Sequence, residues 1–205
     1  MTEETSSERW RLFVAVTIPD PVRNEIIAIQ RELKPVTLGV VRWTDADQLH
    51  VTLKFLGNIP IGSVAGVKQA LDEACAGGCP FLLRAKGIGF FPNARSPSVI
   101  WVGFEDDDYV LPALQLRVER LLAPFVENPS TEIFRAHATL GRFQKYRRHK
   151  TERFIARAHA LANCALGEWQ VKDVGLFRSE LRPNGARHAL LAAYPLGESL
   201  KTSII

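Results

Sequence analysis

The stretch Leu49-His50-Val51-Thr52-Leu53-Lys54-Phe55 decides how this chain is read. Apolar Leu49, Val51, Leu53 and Phe55 alternate with polar His50, Thr52 and Lys54. Alternation with a period of two is the mark of a strand with one apolar and one polar face. A second stretch, Phe134-Arg135-Ala136-His137-Ala138-Thr139-Leu140-Gly141-Arg142-Phe143, carries the same His-x-Thr-Leu core. Here the polar face holds Arg135, His137 and Thr139, and Ala136, Ala138 and Leu140 turn inward. On a strand, residues two apart project together. His50 therefore points with Thr52, and His137 with Thr139. If the two strands lie side by side, two imidazoles and two hydroxyls converge.

That set suits phosphodiester chemistry. An imidazole titrates near neutral pH, so a neutral and a charged ring make a base and an acid. One takes a proton from water and the other gives one to the departing sugar oxygen. The threonine hydroxyls hold the non-bridging oxygens as charge redistributes. No carboxylate cluster with metal-ligand character accompanies the motifs, and no Cys/His set has structural zinc spacing, so neither a metal nor a cofactor is expected. His149, His159 and His188 have no repeated context and read as surface or structural residues.

The rest of the chain alternates strands and helices. Arg11 to Ile18 is a nearly continuous apolar run, a buried strand. Asp20-Pro21 reads as a helix start, with Asp20 the cap, and Val22, Ile26, Ile29 and Leu33 recur at helical spacing until Pro35. Val40 to Trp43 is a short strand before the first motif. A helix over 61–76 follows, with strands over 81–91 and 98–104. The acidic run Glu105 to Asp108 precedes a helix carrying Leu111, Leu114, Val118, Leu121 and Leu122. The second motif strand spans 133–143, then come the basic run 143–150 and a helix over 151–162. One strand is expected over 169–178, a turn at Arg182-Pro183-Asn184-Gly185 and a last strand over 187–194. The order gives an α+β fold with antiparallel pairs and outer helices. The two motifs, one in each half, suggest a duplicated unit with approximate two-fold symmetry.

Bulk properties bound the function. The chain has 205 residues and a net charge of +4, which allows an anionic partner without demanding one. Three cysteines, Cys75, Cys79 and Cys164, are an odd number and read as reduced thiols. No apolar run nears bilayer length, and the polar start lacks signal-peptide character. A cytoplasmic protein without membrane contact is expected, and a monomer. Residues 9–197 form one two-lobed domain in this reading, with 1–8 and 198–205 as flexible tails.

The chain resembles the two-histidine phosphoesterases, and within them the RNA 2′,3′-cyclic phosphodiesterases also called 2′-5′ RNA ligases. The resemblance spans about Arg9 to Leu196. It rests on RLFVAVTIP, RWTDADQLHVTLKFLGNI, GFFPNARSPSVIWVGF, FRAHATLGRF and LFRSELRPNGARHALLAAYPL. It implies a two-lobed pseudo-two-fold fold with antiparallel sheets lining a central cleft. It implies that His50 is the proton donor, that His137 is the proton acceptor, and that Thr52 and Thr139 bind phosphate. The implied reaction opens a 2′,3′-cyclic phosphate at an RNA end to a 2′-phosphate, with 2′-5′ ligation as its reverse. Two other readings fit the same residues: a phosphodiesterase of small cyclic nucleotides or ADP-ribose cyclic phosphate, and a non-catalytic module that only holds RNA ends. Basic residues beside the motifs would draw an RNA backbone. Arg135, Lys54 and Arg142 are the candidates for RNA or phosphate contact, with Lys145, Arg147, Arg148 and Lys150 behind them. Trp43, Phe55 and Phe143 lie near the motifs, and Phe55, on the apolar face, is expected in the core.

Overall fold

The computed structural model describes residues 8–37, 39–127, 133–144, 148–182 and 185–197, without the side chains of 148–151, 181–182 and 185. Both expected tails (apart from Glu8 at the edge of the first), Lys145, Arg147, and the side chains of Arg148, His149 and Lys150 lie outside it. So do the centre of the 182–185 turn and that turn's side chains.

The described chain runs β1 (Arg9–Thr17), α1 (Asp20–Leu33), β2 (Val41–Trp43), β3 (His50–Pro60), α2 (Val64–Ala76), β4 (Phe81–Phe91) and β5 (Val99–Glu105). It continues with α3 (Val110–Leu122), β6 (His137–Phe143), α4 (Arg148–Ala160), β7 (Ala165–Val171), β8 (Asp173–Arg182) and β9 (Gly185–Pro195). One sheet has the order β3-β1-β8-β9 and the other β2-β6-β5-β4-β7. All the pairings are antiparallel. The fold is α+β.

Two units repeat: β1-α1-β3-α2 and β5-α3-β6-α4. In each, the first strand pairs with the motif strand. The helices are exchanged. α1 follows β1 of the first sheet but packs on β7 of the second, whereas α3 follows β5 of the second and packs on β3 of the first. β1 owes its continuous apolar run to a central place in its sheet, where Leu12 to Val16 are all buried.

β3 contains two β-bulges, at Leu53 and Leu56, and β6 one, and in each strand a bulge directly follows the His-x-Thr. Ala15 pairs with Thr52 and Val14 with Lys54, so Leu53 is the extra residue. Trp101 pairs with Thr139 and Ile100 with Gly141, so Leu140 is the extra residue. A bulge breaks the ladder and reverses which face later residues take. Two glutamines on the exchanged helices serve the displaced carbonyls. Gln30 of α1 donates through Nε2 to Leu140 O at 3.0 Å and to Thr44 O at 2.9 Å. Gln115 of α3 donates to Leu53 O at 3.4 Å. Gln30 is buried on the apolar stripe of its helix, beside Ile29 and Leu33.

The bulge at Leu53 overturns two expectations. Lys54 does not continue the polar face; it is buried and forms an ion pair with Glu119 of α3. Phe55 is not in the core; it is 65% exposed. At the position matching Lys54, Gly141 lies under β2, and a Cβ there would stand 2.6 Å from Val41 Cγ1. This neighbour explains why the two copies diverge after the shared leucine.

Other boundaries shift. The second motif strand begins at His137 rather than Ile133, which leaves Arg135 outside the ladder. The expected strand over 169–178 is two strands in different sheets: β7 pairs with β4 and β8 with β1. Both pieces are β-rich with no Gly or Pro between them, so the crossing at Lys172 is silent in the periodicity. Asp20 is not a cap. It lies in the first turn of α1, paired with Arg23 at 3.0 Å. The acidic run does start α3, since the Asp106 carboxylate accepts from the amides of Val110 (2.7 Å) and Leu111 (3.2 Å). The three cysteines are free.

Replacing Gln30 by Leu strips Thr44 O of its amide donor and leaves Leu140 O with the Thr44 amide alone. Urea unfolding is expected to show a loss of about 1–3 kcal/mol. Gln115→Leu, which removes a longer bond, should cost less.

Candidate active site

β3 and β6 meet between the two sheets. Their polar faces open on a cleft of about 570 Å³, lined by His50, Thr52, His137 and Thr139. The strand register sets this convergence, because each His-Thr pair precedes its bulge and keeps strict alternation. Phe55 and Arg142, each one place past the residue that resumes the ladder, are turned back to the same cleft.

Backbone groups orient both imidazoles. Nδ1–H of His137 donates to the carbonyl of Arg135 at 2.7 Å. A carbonyl can only accept, so the neutral ring carries its lone pair on Nε2. The backbone of Gln48, also two residues upstream, bonds to His50 and favours its charged form. Ring packing differs between the two. His50 stacks on Phe13 at 4.8 Å and meets His188 edge-on at 5.4 Å. His137 is met by Phe91 at 4.8 Å and Trp101 at 6.3 Å.

Both rings resist protonation in this cleft. Burial, followed by the nearby His188, pushes His50 down to about 4. Burial also lowers His137, with Arg142 adding to the effect and the Arg135 bond opposing it. Arg11, Arg42 and Arg142 line the cleft, with Asp45 among them, so its walls favour an anion.

The sequence-derived candidates thus divide. His50, Thr52, His137, Thr139 and Arg142 come together on the cleft. Lys54 does not, because it is buried against Glu119. The Arg135 side chain is exposed and not among the cleft-lining residues; its carbonyl is the part that serves the site. Trp43 lines the cleft, while Phe143 packs near Phe90 and Phe154. Arg11, Arg42 and Phe13 also line it and were not singled out by the sequence, and His188, read there as a surface or structural residue, lines it too. Phe13 and Arg11 alternate correctly on β1 and were legible as one face; His188 had no such signal. Among the described residues, no group of three or more His, Cys, Asp or Glu side chains is placed to hold a metal ion. No helix among them is long and apolar enough to cross a membrane.

Comparison with known proteins gives the chain its relatives. The family described as LigT like Phosphoesterase matches residues 16–101. An Archaeoglobus fulgidus protein named RNA 2′,3′-cyclic phosphodiesterase is 31% identical over 175 residues, covering 85% of this chain and 94% of the relative. The chain belongs to the LigT-like phosphoesterase family. A Thermus thermophilus relative of the same name is 32% identical over 202 residues, covering 91% of this chain and 90% of its own. A solved Thermus thermophilus structure superposes with a TM-score of 0.77 at 26% identity, covering 92% of this chain and 99% of that one. Membership in the LigT-like family makes the chain a phosphoesterase.

The depressed His50 links the cleft to stability. Its folded value lies below the unfolded one, so between the two the unfolded chain binds more protons. The stabilisation is present above about pH 6.5 and is lost as pH falls toward 4. Urea unfolding across that window should show a loss on the order of 3 kcal/mol in the wild type. In His50→Gln the loss should be smaller by that amount.

Proposed function

We propose that this protein hydrolyses the 2′,3′-cyclic phosphate at an RNA end to a 2′-phosphate by acid–base catalysis between His50 and His137. The observation that carries this reading is the convergence of both His-Thr pairs on one cleft, with His137 tied at Nδ1 and free at Nε2. The names of the relatives point to the same substrate class.

In this reading, Nε2 of His137 takes a proton from water as the water oxygen bonds to phosphorus. The bond from phosphorus to O3′ breaks, and His50 delivers a proton to O3′. Thr52 and Thr139 donate to the non-bridging oxygens, and Arg142 balances the charge that gathers there. A ring that resists charge in this cleft gains a counter-charge when the anionic phosphate enters. His50 then holds its proton next to the phosphate and is a strong donor to O3′. The same sequence, with a 5′-hydroxyl oxygen attacking phosphorus in place of water and O3′ again departing, gives 2′-5′ ligation.

The test is turnover of a short oligonucleotide ending in 2′,3′-cyclic phosphate with a chelator present. Activity is expected to persist, and its loss would refute a metal-free mechanism. His50→Ala and His137→Ala are each expected to lower kcat by roughly 10²- to 10⁴-fold. Arg142→Ala should raise KM and weaken the salt dependence of binding. A nucleoside 2′,3′-cyclic phosphate turned over faster than the oligonucleotide would move the assignment to small substrates.

A further inference from the structure

Three imidazoles line the cleft, and the motifs account for two. The third, His188, comes from β9, which neither motif strand touches in the ladder. β8 and β9 extend the first sheet beyond β1, and Ser179 faces His188 across that pair; both line the cleft. The Gln48 side chain donates to the carbonyl of Ala186, two residues before His188. The segment leading into β3 is thus fastened to β9 close to both rings.

The packing is directional. Phe13 lies along His50, with centroids 4.8 Å apart and planes 29° apart. Phe177 backs Phe13 at 5.2 Å and 13°. His188 stands nearly perpendicular to both, at 87° to His50 and 75° to Phe13. His50 is therefore supported on one face by an apolar ring and met on another side by a titratable one. Nδ1 of His188 is buried and has no hydrogen-bond partner among the described residues. A buried lone pair costs less there than a buried orphan N–H, which favours a neutral His188 with its proton on Nε2.

We propose that His188 is a positioning residue of this cleft that acts through His50, fixing the ring and competing with it for positive charge. Two imidazolium rings 5.4 Å apart repel, so charge on one opposes charge on the other. The charged and titratable groups facing the pair are His137 beside His50, and Asp47 and Arg11 beside His188. The rings packed against His137 are Phe91 and Trp101 instead. The duplicated motif thus gains an asymmetry from outside itself, and the histidine read here as the acid is the one in ring contact with a third imidazole. The kinetic part of this inference rests on the function proposed above; the titration part does not.

The experiment follows the His50 ring by NMR over pH 3–9 in wild type, His188→Gln and His188→Asn, with and without inorganic phosphate. Both variants remove the competing charge. His50 is expected to titrate at higher pH in each than in wild type. The limb of the kcat/KM profile that follows His50 should move up with it, while far-UV circular dichroism stays unchanged. An unmoved His50 titration in a folded variant overturns the proposal. If neither variant folds, the wild type decides: interacting rings give mutually distorted titration curves, and independent single-proton curves for His50 and His188 overturn it. Absence of turnover on any cyclic phosphate, with the His50 shift intact, would sink the functional reading and leave the His188 coupling standing.

Discussion

The cleft depends on one local irregularity made twice: a leucine that its strand has no partner for. Without the bulge at Leu53, strict alternation would carry Phe55 inward and Lys54 outward. With it, His50 and Thr52 keep their direction while the next cleft residue is re-aimed. The same event at Leu140 turns Arg142 toward the cleft. A bulge frees a carbonyl, and a buried free carbonyl is costly. Gln115 and Gln30 offset that cost from the helices behind. The active-site face and the helix layer are thereby coupled through two amide groups.

Much of this was legible in the sequence. The alternation around each His-x-Thr located both motif strands, and the pairing of like residues two apart placed four polar groups on the correct face. The helical stripes of α1 and α3 were plain because their apolar residues recur every three to four positions. What failed has a common cause. Periodicity describes a strand against itself, whereas a bulge is a relation between a strand and its partner. Lys54 and Phe55 were therefore assigned to the wrong faces. The change of sheet at Lys172 failed for a related reason, since both sides of it favour extended chain. Arg135 was read as a side chain on the strand, but the strand starts two residues later and it is its carbonyl that bonds to His137. Gln30 did leave a trace: an amide on an otherwise apolar helical face asks for a buried partner.

The two copies have diverged where their surroundings differ. β2 covers the second motif strand and excludes any side chain at Gly141. β3 is an edge strand, and the lysine at the matching position reaches Glu119 instead. The imidazoles diverge as well: one has an apolar ring along its face and a titratable ring at its side, the other is packed by Phe91 and Trp101. Repeated sequence supplies the two imidazoles, and unrepeated neighbours surround them differently.

The exchange of helices has a consequence for how such a molecule can come apart. Each repeat sends one helix to the other sheet and keeps one on its own, α2 against β8 and β9 and α4 against β4, so the two repeats build their cores in common. Part of each half's core is therefore supplied by the other half, through α1 on β7 and α3 on β3. Severed within the Asn93–Pro97 connection, the two pieces should remain associated under native conditions, and each in isolation should be insoluble or unstructured.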